Sequence, residues 1–320
     1  IDKLRIHFFD KVELKGIYLE DQKKDTLLYA DNLVVTLNMW DLLNSKLDIE
    51  TVDLSNFTVN LKQEQKDAPF NFQFIFDAFK KDSVSKPSTN PNPFGIYLRD
   101  VRLKNGKASY NILSEPETPG KFNTSHIAID KLSARIALPS IEMDKFVGDI
   151  RTLSFNEQSG LRLDNLQAMV RSKGDKIWSS FLSLKINNSE LKVSRAEYNI
   201  KAKQYKLKAK SELIDPDDIS LFVSRFSDLT EPFSFEVDVN GTYPQGSLNN
   251  LIVNYGNSTH IDVSGNIDDF TKFDNSDFDL EVKQIRTTQE DLENLIRVAA
   301  IDYFSPTQLW ALGNMNLKFN

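Results

Sequence analysis

The stretch from Phe233 to Lys283 constrains the fold more than any other part of the chain. It reads FSFEVDVNG, SLNNLIVNYG, THIDVSGNID and SDFDLEVK, and apolar and polar residues alternate in each piece. Phe233, Phe235, Val237 and Val239 alternate with Ser234, Glu236, Asp238 and Asn240. Leu251, Val253 and Tyr255 follow, then Ile261, Val263 and Ile267, then Phe278, Leu280 and Val282. Successive side chains of a strand point to opposite faces, so each piece predicts a strand with one apolar and one polar face. The breaks fall at Gly241, Pro244-Gln245-Gly246, Gly256-Asn257 and Gly265 to Asn275, all rich in turn-forming residues. The thirteen apolar residues named above are the candidates for one shared binding face.

Earlier segments look like weaker copies of this unit. Val12, Leu14 and Ile17 precede a polar turn at Asp21 to Asp25, and Leu33, Val35 and Leu37 follow it. Leu47 to Lys62 predicts two short strands. Residues 69–81 (PFNFQFIFDAFKK) hold Phe70, Phe72, Phe74, Phe76 and Phe79; the first four have strand spacing, but a short helix is the preferred reading, and ordinary core explains them better than a ligand contact does. Lys81 to Phe94, with Pro87, Pro91 and Pro93, reads as a linker. Asn105-Gly106 is a hairpin signal. Lys201, Lys203, Lys206, Lys208 and Lys210 read as the solvated face of a strand carrying Leu207 and Ala209. Asp215 and Pro216 start a helix that runs to Phe226, Thr288 starts a second to about Ile301, and Ser305-Pro306 a third through Trp310 before a strand at Met315. The resulting division is a β-rich segment over 1–80, the linker over 81–94, a middle β segment over 95–214 and a β repeat segment with flanking helices over 215–320. The fold expected is mainly β: an antiparallel sheet of repeated amphipathic strands with a few short helices.

The chain has 320 residues, a net charge of −7 and no cysteine. Disulfides, thiolate metal sites and a cysteine nucleophile are excluded, and nucleic acid is not expected as a partner of an acidic chain. His7, His126 and His260 are scattered, and no paired metal-ligand spacing occurs. No phosphate-binding glycine loop or nucleophile elbow is present, so the chain reads as a non-enzyme with no cofactor or metal. No apolar run reaches 18 residues, so no transmembrane helix is expected within it. The start without Met and the end within a strand-like run read as an excised segment, with any membrane anchor outside it.

GIYLEDQKKDTLLYADNLVVTLNMWDLL, followed by IETVDLSNFTVNL and PFNFQFIFDAF, resembles the early part of AsmA/TamB-like envelope proteins, most closely in their Bacteroidota form. FSFEVDVNGTYPQGSLNNLIVNYGNSTHIDVSGNI and SPTQLWALGNMNLKF resemble later repeats of that family. The resemblance implies an elongated, curved, taco-like groove that lets phospholipid acyl chains slide between inner and outer membranes. It also implies a periplasmic location, an inner-membrane anchor in a Gram-negative cell and an outer-membrane partner protein. Burial of each CH₂ is worth about 0.8 kcal/mol, so such a groove needs no specific polar contact. Alternation alone favours a closed sandwich or barrel whose faces form a core, and the resemblance reverses that preference. A scaffold or outer-membrane assembly factor, pairing its strand edges with a client, is the other function class.

Overall fold

The computed structural model describes residues 1–7, 10–37, 47–75, 77, 96–141, 145–271, 277–299 and 315–318. The linker expected at 81–94, the third helix and the side chains of Phe76 and Phe79 lie outside them. The chain divides into two compact units, Ile1–Glu142 with Val147–Asp164, and Met143–Phe146 with Asn165–Asn320. Both are open sheets whose strands neighbour one another in chain order. The protein is mainly β, as the alternation predicts, with few and short helices.

The first unit contains β1 (Lys3–His7), β2 (Lys11–Glu20), β3 (Thr26–Leu37), β4 (Leu47–Gln63), β5 (Ile96–Ile112), β6 (His126–Ile141) and most of β7 (Lys145–Glu157). Every pairing described is antiparallel except β4 with β5, which run parallel. A parallel neighbour needs a crossover, and residues 64–95 supply it.

Two expectations fail here for one physical reason. Leu47 to Lys62 is one strand, not two, and Asn105-Gly106 is no hairpin but lies inside β5. The apolar phase slips by one residue within these strands. It passes from Val52 and Leu54 to Phe57 and Val59 in β4, and from Val101 and Leu103 to Gly106 and Ala108 in β5. Gly16 in β2 and Lys131 in β6 mark the same slip. Gly16, Asn56, Asn105 and Lys131 all have positive φ, between 50° and 60°. One left-handed residue absorbs the slip as a bulge, so both halves of the strand keep their apolar side chains on one face. The register confirms the common face: Val12–Val35–Val52–Val101–Ile136 form one cross-strand row, and Leu14–Leu33–Leu54–Leu103–Ala134 the next.

The core of this unit lies along the bulges. Ala30, Phe57 and Leu132 are buried, with Ile17, Leu54, Val59, Leu103, Ile129, Leu153 and Phe155 packed around them. A Cβ on Gly106 would stand 2.1 Å from Cζ of Phe57, so glycine is what lets the ring lie over β5. Asn105 donates to Asn56 Oδ1 at 2.7 Å, tying the two bulges together. On the polar face Asp100 is surrounded by Arg102, Arg135 and Arg151 at 2.8, 3.5 and 3.7 Å.

The phenylalanine-rich segment begins a helical turn at residues 73–75, as its spacing suggests. Phe70 stacks on Phe72 with centroids 4.9 Å apart and lies 6.0 Å from the Tyr110 ring. Asn71 pins the segment to the sheet: its side chain accepts from Lys62 N–H at 3.0 Å and donates to Asn60 O at 3.0 Å and Asp21 Oδ2 at 3.1 Å.

The second unit contains most of β8 (Arg162–Lys173), then β9 (Lys176–Ile186), β10 (Ser189–Asn199), β11 (Gln204–Ile214), β12 (Phe233–Thr242), β13 (Gly246–Tyr255), β14 (Thr259–Ile267), β15 (Phe278–Thr287) and β16 (Met315–Lys318). The four amphipathic pieces are β12 to β15. Gly241 and Gly265 lie inside strands, paired with Tyr205 and Leu280, not at the breaks where the sequence suggests turns. The helix begun by Asp215 is shorter than its apolar spacing predicts: α1 spans Pro216–Ser220, and a separate 3₁₀ turn spans Ser224–Asp228. Asp215 caps α1 by accepting from Asp217 N–H at 3.0 Å. α2 spans Gln289–Ala299, and Thr288 Oγ1 accepts from Asp291 N–H at 3.2 Å at its start.

Candidate functional site

The register gathers the predicted apolar residues onto one face of the second unit. Phe233 pairs with Tyr255, Phe235 with Val253, and Val237 with Leu251. Leu251 pairs with Val263 and Val253 with Ile261, then Val263 with Val282, Gly265 with Leu280, and Ile267 with Phe278. Directly paired residues share a face, so the twelve candidates whose side chains are described do, Val239 by alternation with Val237.

Three rows result, running across the strands. Leu182–Val193–Ala209–Val237–Leu251–Val263–Val282 crosses seven strands, from β9 to β15. At the usual strand spacing that row is roughly 30 Å long. Ala196–Leu207–Val239–Leu248–Gly265–Leu280 lies on one side of it, and Phe235–Val253–Ile261–Ile285 on the other. Val237, Val239, Leu251, Val253, Ile261, Val263 and Val282 are half-buried, and Leu280 is 43% exposed. A contiguous apolar strip of this kind, left partly open to solvent, marks an interaction surface more often than plain core.

The strip is bounded where the strands end. At one end Tyr255 is 1% exposed and packs with Leu229 and Val298, with Phe226, Phe233 and Leu295 around them. Of the thirteen candidates, Tyr255 and Phe233 thus sit beneath the 3₁₀ turn and α2. The Tyr255 hydroxyl accepts from Thr230 N–H at 3.2 Å. Thr259 Oγ1 donates to Asp291 Oδ2 at 2.7 Å, tying α2 to the start of β14, and Arg225 donates to Val298 O at 3.3 Å, tying the 3₁₀ turn to α2. α1 covers the next strand ends, with Ile219 and Phe222 over Leu184, Leu191 and Ile214 beside a small cavity of about 80 Å³.

At the other end Phe270 meets Tyr205 and Tyr243 edge-on, with centroids 5.9 and 5.5 Å apart. Burial pushes the Tyr205 hydroxyl above the usual tyrosine range, and it donates to Gln245 O at 2.9 Å. The strip therefore has an aromatic edge on one side and a helical edge on the other, while its rows run between them across the strands.

Some positions of the strip were not among the sequence candidates. Leu207 and Ala209, which alternate with the lysines, extend the rows onto β11. Val193 and Leu182 extend them further; their alternation is broken by irregular pairing on β9 and β10. Asp218 reads as a solvated helix-start acid but is buried, accepting from Ser189 Oγ at 2.6 Å and Asn188 N–H at 3.0 Å.

A larger cavity of about 720 Å³ lies in the first unit, between the 21–25 turn and residues 69–77. Its charges are internally paired, Lys62 with Asp25 at 2.9 Å and Lys23 with Glu64. Among the described residues no group of three histidine, aspartate or glutamate side chains is placed to hold a metal ion, and no helix is long and apolar enough to cross a membrane. No family model, no curated protein and no solved structure matches the chain.

Proposed function

We propose that the chain is part of an AsmA/TamB-like envelope protein and that its apolar strip carries phospholipid acyl chains between inner and outer membranes, without catalysis. The observation that carries this reading is the strip itself. Three apolar rows lie in register over neighbouring strands and stay half-buried, and among the described residues no second layer seals them along their length. Each methylene laid on such a surface gains about 0.8 kcal/mol at full burial, and less on a half-open one. The rows repeat valine, leucine and isoleucine with no polar break, so successive positions bind alike and a chain can shift from one to the next. The bulges of the first unit serve the same end by keeping the apolar phase on one face through five strands.

Mass spectrometry of lipid released from the natively purified chain tests this reading. Phospholipid should copurify, and replacing Val237 or Val263 with a bulky charged residue should remove it and halt transfer. Repeated native extraction without lipid, together with transfer that survives those substitutions, refutes the reading. A scaffold role has one observation of its own: β1 is an exposed edge, with Leu4 58% and Ile6 68% exposed, suited to pairing with a client strand. Binding of a client through β1 would survive the Val237 and Val263 substitutions.

A further inference from the structure

We propose that the polar face of the first unit carries a site for a terminal phosphate group, built by Arg102, Arg135 and Arg151 around Asp100. The register sets Arg102 directly opposite Arg135, with Asp53 on the other side of Arg102, in the row Asp53–Arg102–Arg135. Val101 and Leu103 flank Arg102, and Ala134 and Ile136 flank Arg135, so both arginines lie on the face opposite the apolar rows of this unit. Arg151 reaches the same place from β7. Like charges directly opposite one another destabilise a ladder, so this pair calls for an anion.

Asp100 supplies that anion only in part. Its side chain is 13% exposed and sits at the base of the cluster, while the three arginines are 46%, 48% and 49% exposed and form the rim. Arg102 donates through Nε to Oδ2 at 2.9 Å and places Nη2 2.8 Å from the same oxygen. Arg135 stands 3.5 Å from Oδ2, and Arg151 stands 3.7 Å from Oδ1. Oδ1 is buried and accepts no hydrogen bond among the described residues. Arg135 and Arg151 make no other ion pair there. The second acid is Asp53, 3.7 Å from Arg102. Three guanidiniums against two carboxylates leave one positive charge in excess.

Shape and charge together select the ligand. Hydrogen bonds fix Arg102, whereas Arg135 and Arg151 are drawn to Asp100 from a distance and keep most of their N–H donors for another partner. A guanidinium presents a planar fork that takes two oxygens of one group. A carboxylate has two oxygens and engages a single fork. A terminal phosphate has three, set tetrahedrally, so it bridges two forks and supplies the missing negative charge. A neutral or cationic ligand would leave the repulsion between Arg102 and Arg135 unrelieved. The site uses no hydrocarbon contact, so it holds or fails independently of the lipid-carrying reading.

Phosphorus NMR can follow pyrophosphate titrated into the 320-residue chain at an ionic strength held constant with sodium chloride. One pyrophosphate should bind per chain, and acetate should compete at least about tenfold more weakly. Arg135→Gln and Arg151→Gln should each weaken pyrophosphate roughly tenfold, while Lys206→Gln in the second unit should leave it unchanged. Should Arg135→Gln fail to fold, Arg151→Gln decides alone, because its contact with Asp100 is the longest of the three. Vesicles of phosphatidic acid, set against phosphatidylcholine with the same acyl chains, distinguish the source of the phosphate. Binding to phosphatidic acid alone, lost in Arg151→Gln, identifies a lipid headgroup; pyrophosphate binding without vesicle binding identifies a soluble phosphate. No pyrophosphate binding, equal competition by acetate, indifference to both arginine variants, or an equal loss in Lys206→Gln overturns the proposal.

Discussion

Replacing Gly106 with alanine tests the bulge line at its tightest point. The new Cβ would lie 2.1 Å from Cζ of Phe57, and 2.5 and 2.7 Å from its two Cε atoms. Phe57 is 4% exposed and hemmed in by Ala30 and Leu132, so the ring has little room to retreat. Forcing extra volume into a packed core costs about 1–3 kcal/mol. For a unit of this size that lowers the melting temperature by roughly 3–10 °C. The diagnostic step is a second substitution. Phe57→Leu removes Cζ and both Cε atoms, the three that collide, at a cost of about 1–2 kcal/mol on its own. Adding Gly106→Ala to Phe57→Leu should then cost almost nothing, giving a coupling of about 1 kcal/mol or more. Thermal melts give the sizes, and hydrogen exchange of β4 to β6 amides shows whether the loss is local to the first unit. A neutral Gly106→Ala refutes the reasoning. Equal costs in both backgrounds would show that glycine is needed for its backbone and not for the ring.

Three further outcomes follow from the same contacts. Asp218→Ala strands the Ser189 hydroxyl and Asn188 N–H; it should cost about 1–3 kcal/mol and speed hydrogen exchange in α1, and unchanged exchange would contradict the anchor. Thr259→Val removes the bond to Asp291 and should raise exchange rates at Asp291 and Leu292 while leaving β12 and β13 protected. Burial pushes the Asp21 carboxyl up, but hydrogen bonds from the Asn71 side chain and the Asp25 and Lys23 N–H groups outweigh it and hold the carboxyl below its usual range. Its stabilisation is therefore complete above the ordinary aspartate pKa of about 3.9 and lost as pH falls from there through the lowered value. Asp21→Asn should flatten the acid limb of a stability–pH curve, and an unchanged limb would assign that loss to other carboxylates.

The fold class was legible because alternation fixes strands and faces at once. β12 to β15 emerge as four strands in register, with the twelve described apolar candidates on one side. What stayed hidden has a common cause. A one-residue slip in apolar phase looks, in one dimension, like the end of a strand, so Asn56 and Asn105-Gly106 read as boundaries. Only neighbouring strands show that the slip is absorbed by a left-handed residue while the strand continues. The same limit applies to Asp218 and Gly106. Their roles depend on Ser189 and Phe57, distant in sequence, and nothing local distinguishes them from a solvated acid and a turn glycine. The parallel pairing of β4 and β5 likewise depends on where the crossover returns, which residue spacing does not encode. Tyr255 alternates in step with Leu251 and Val253, yet its burial comes from Leu229 and Val298, outside the strand.

Photo-crosslinking along β12 and β14 tests the central claim most directly. A photoreactive residue placed at Val237 or Val263 lies on the apolar strip, while one at Asp238 or Asp262 lies on the opposite face of the same strands. After illumination in membrane-containing extracts, mass spectrometry should find phospholipid adducts through the acyl chains at Val237 and Val263, and none at Asp238 or Asp262. Equal labelling on both faces, or protein adducts with no lipid at the strip, would contradict the account.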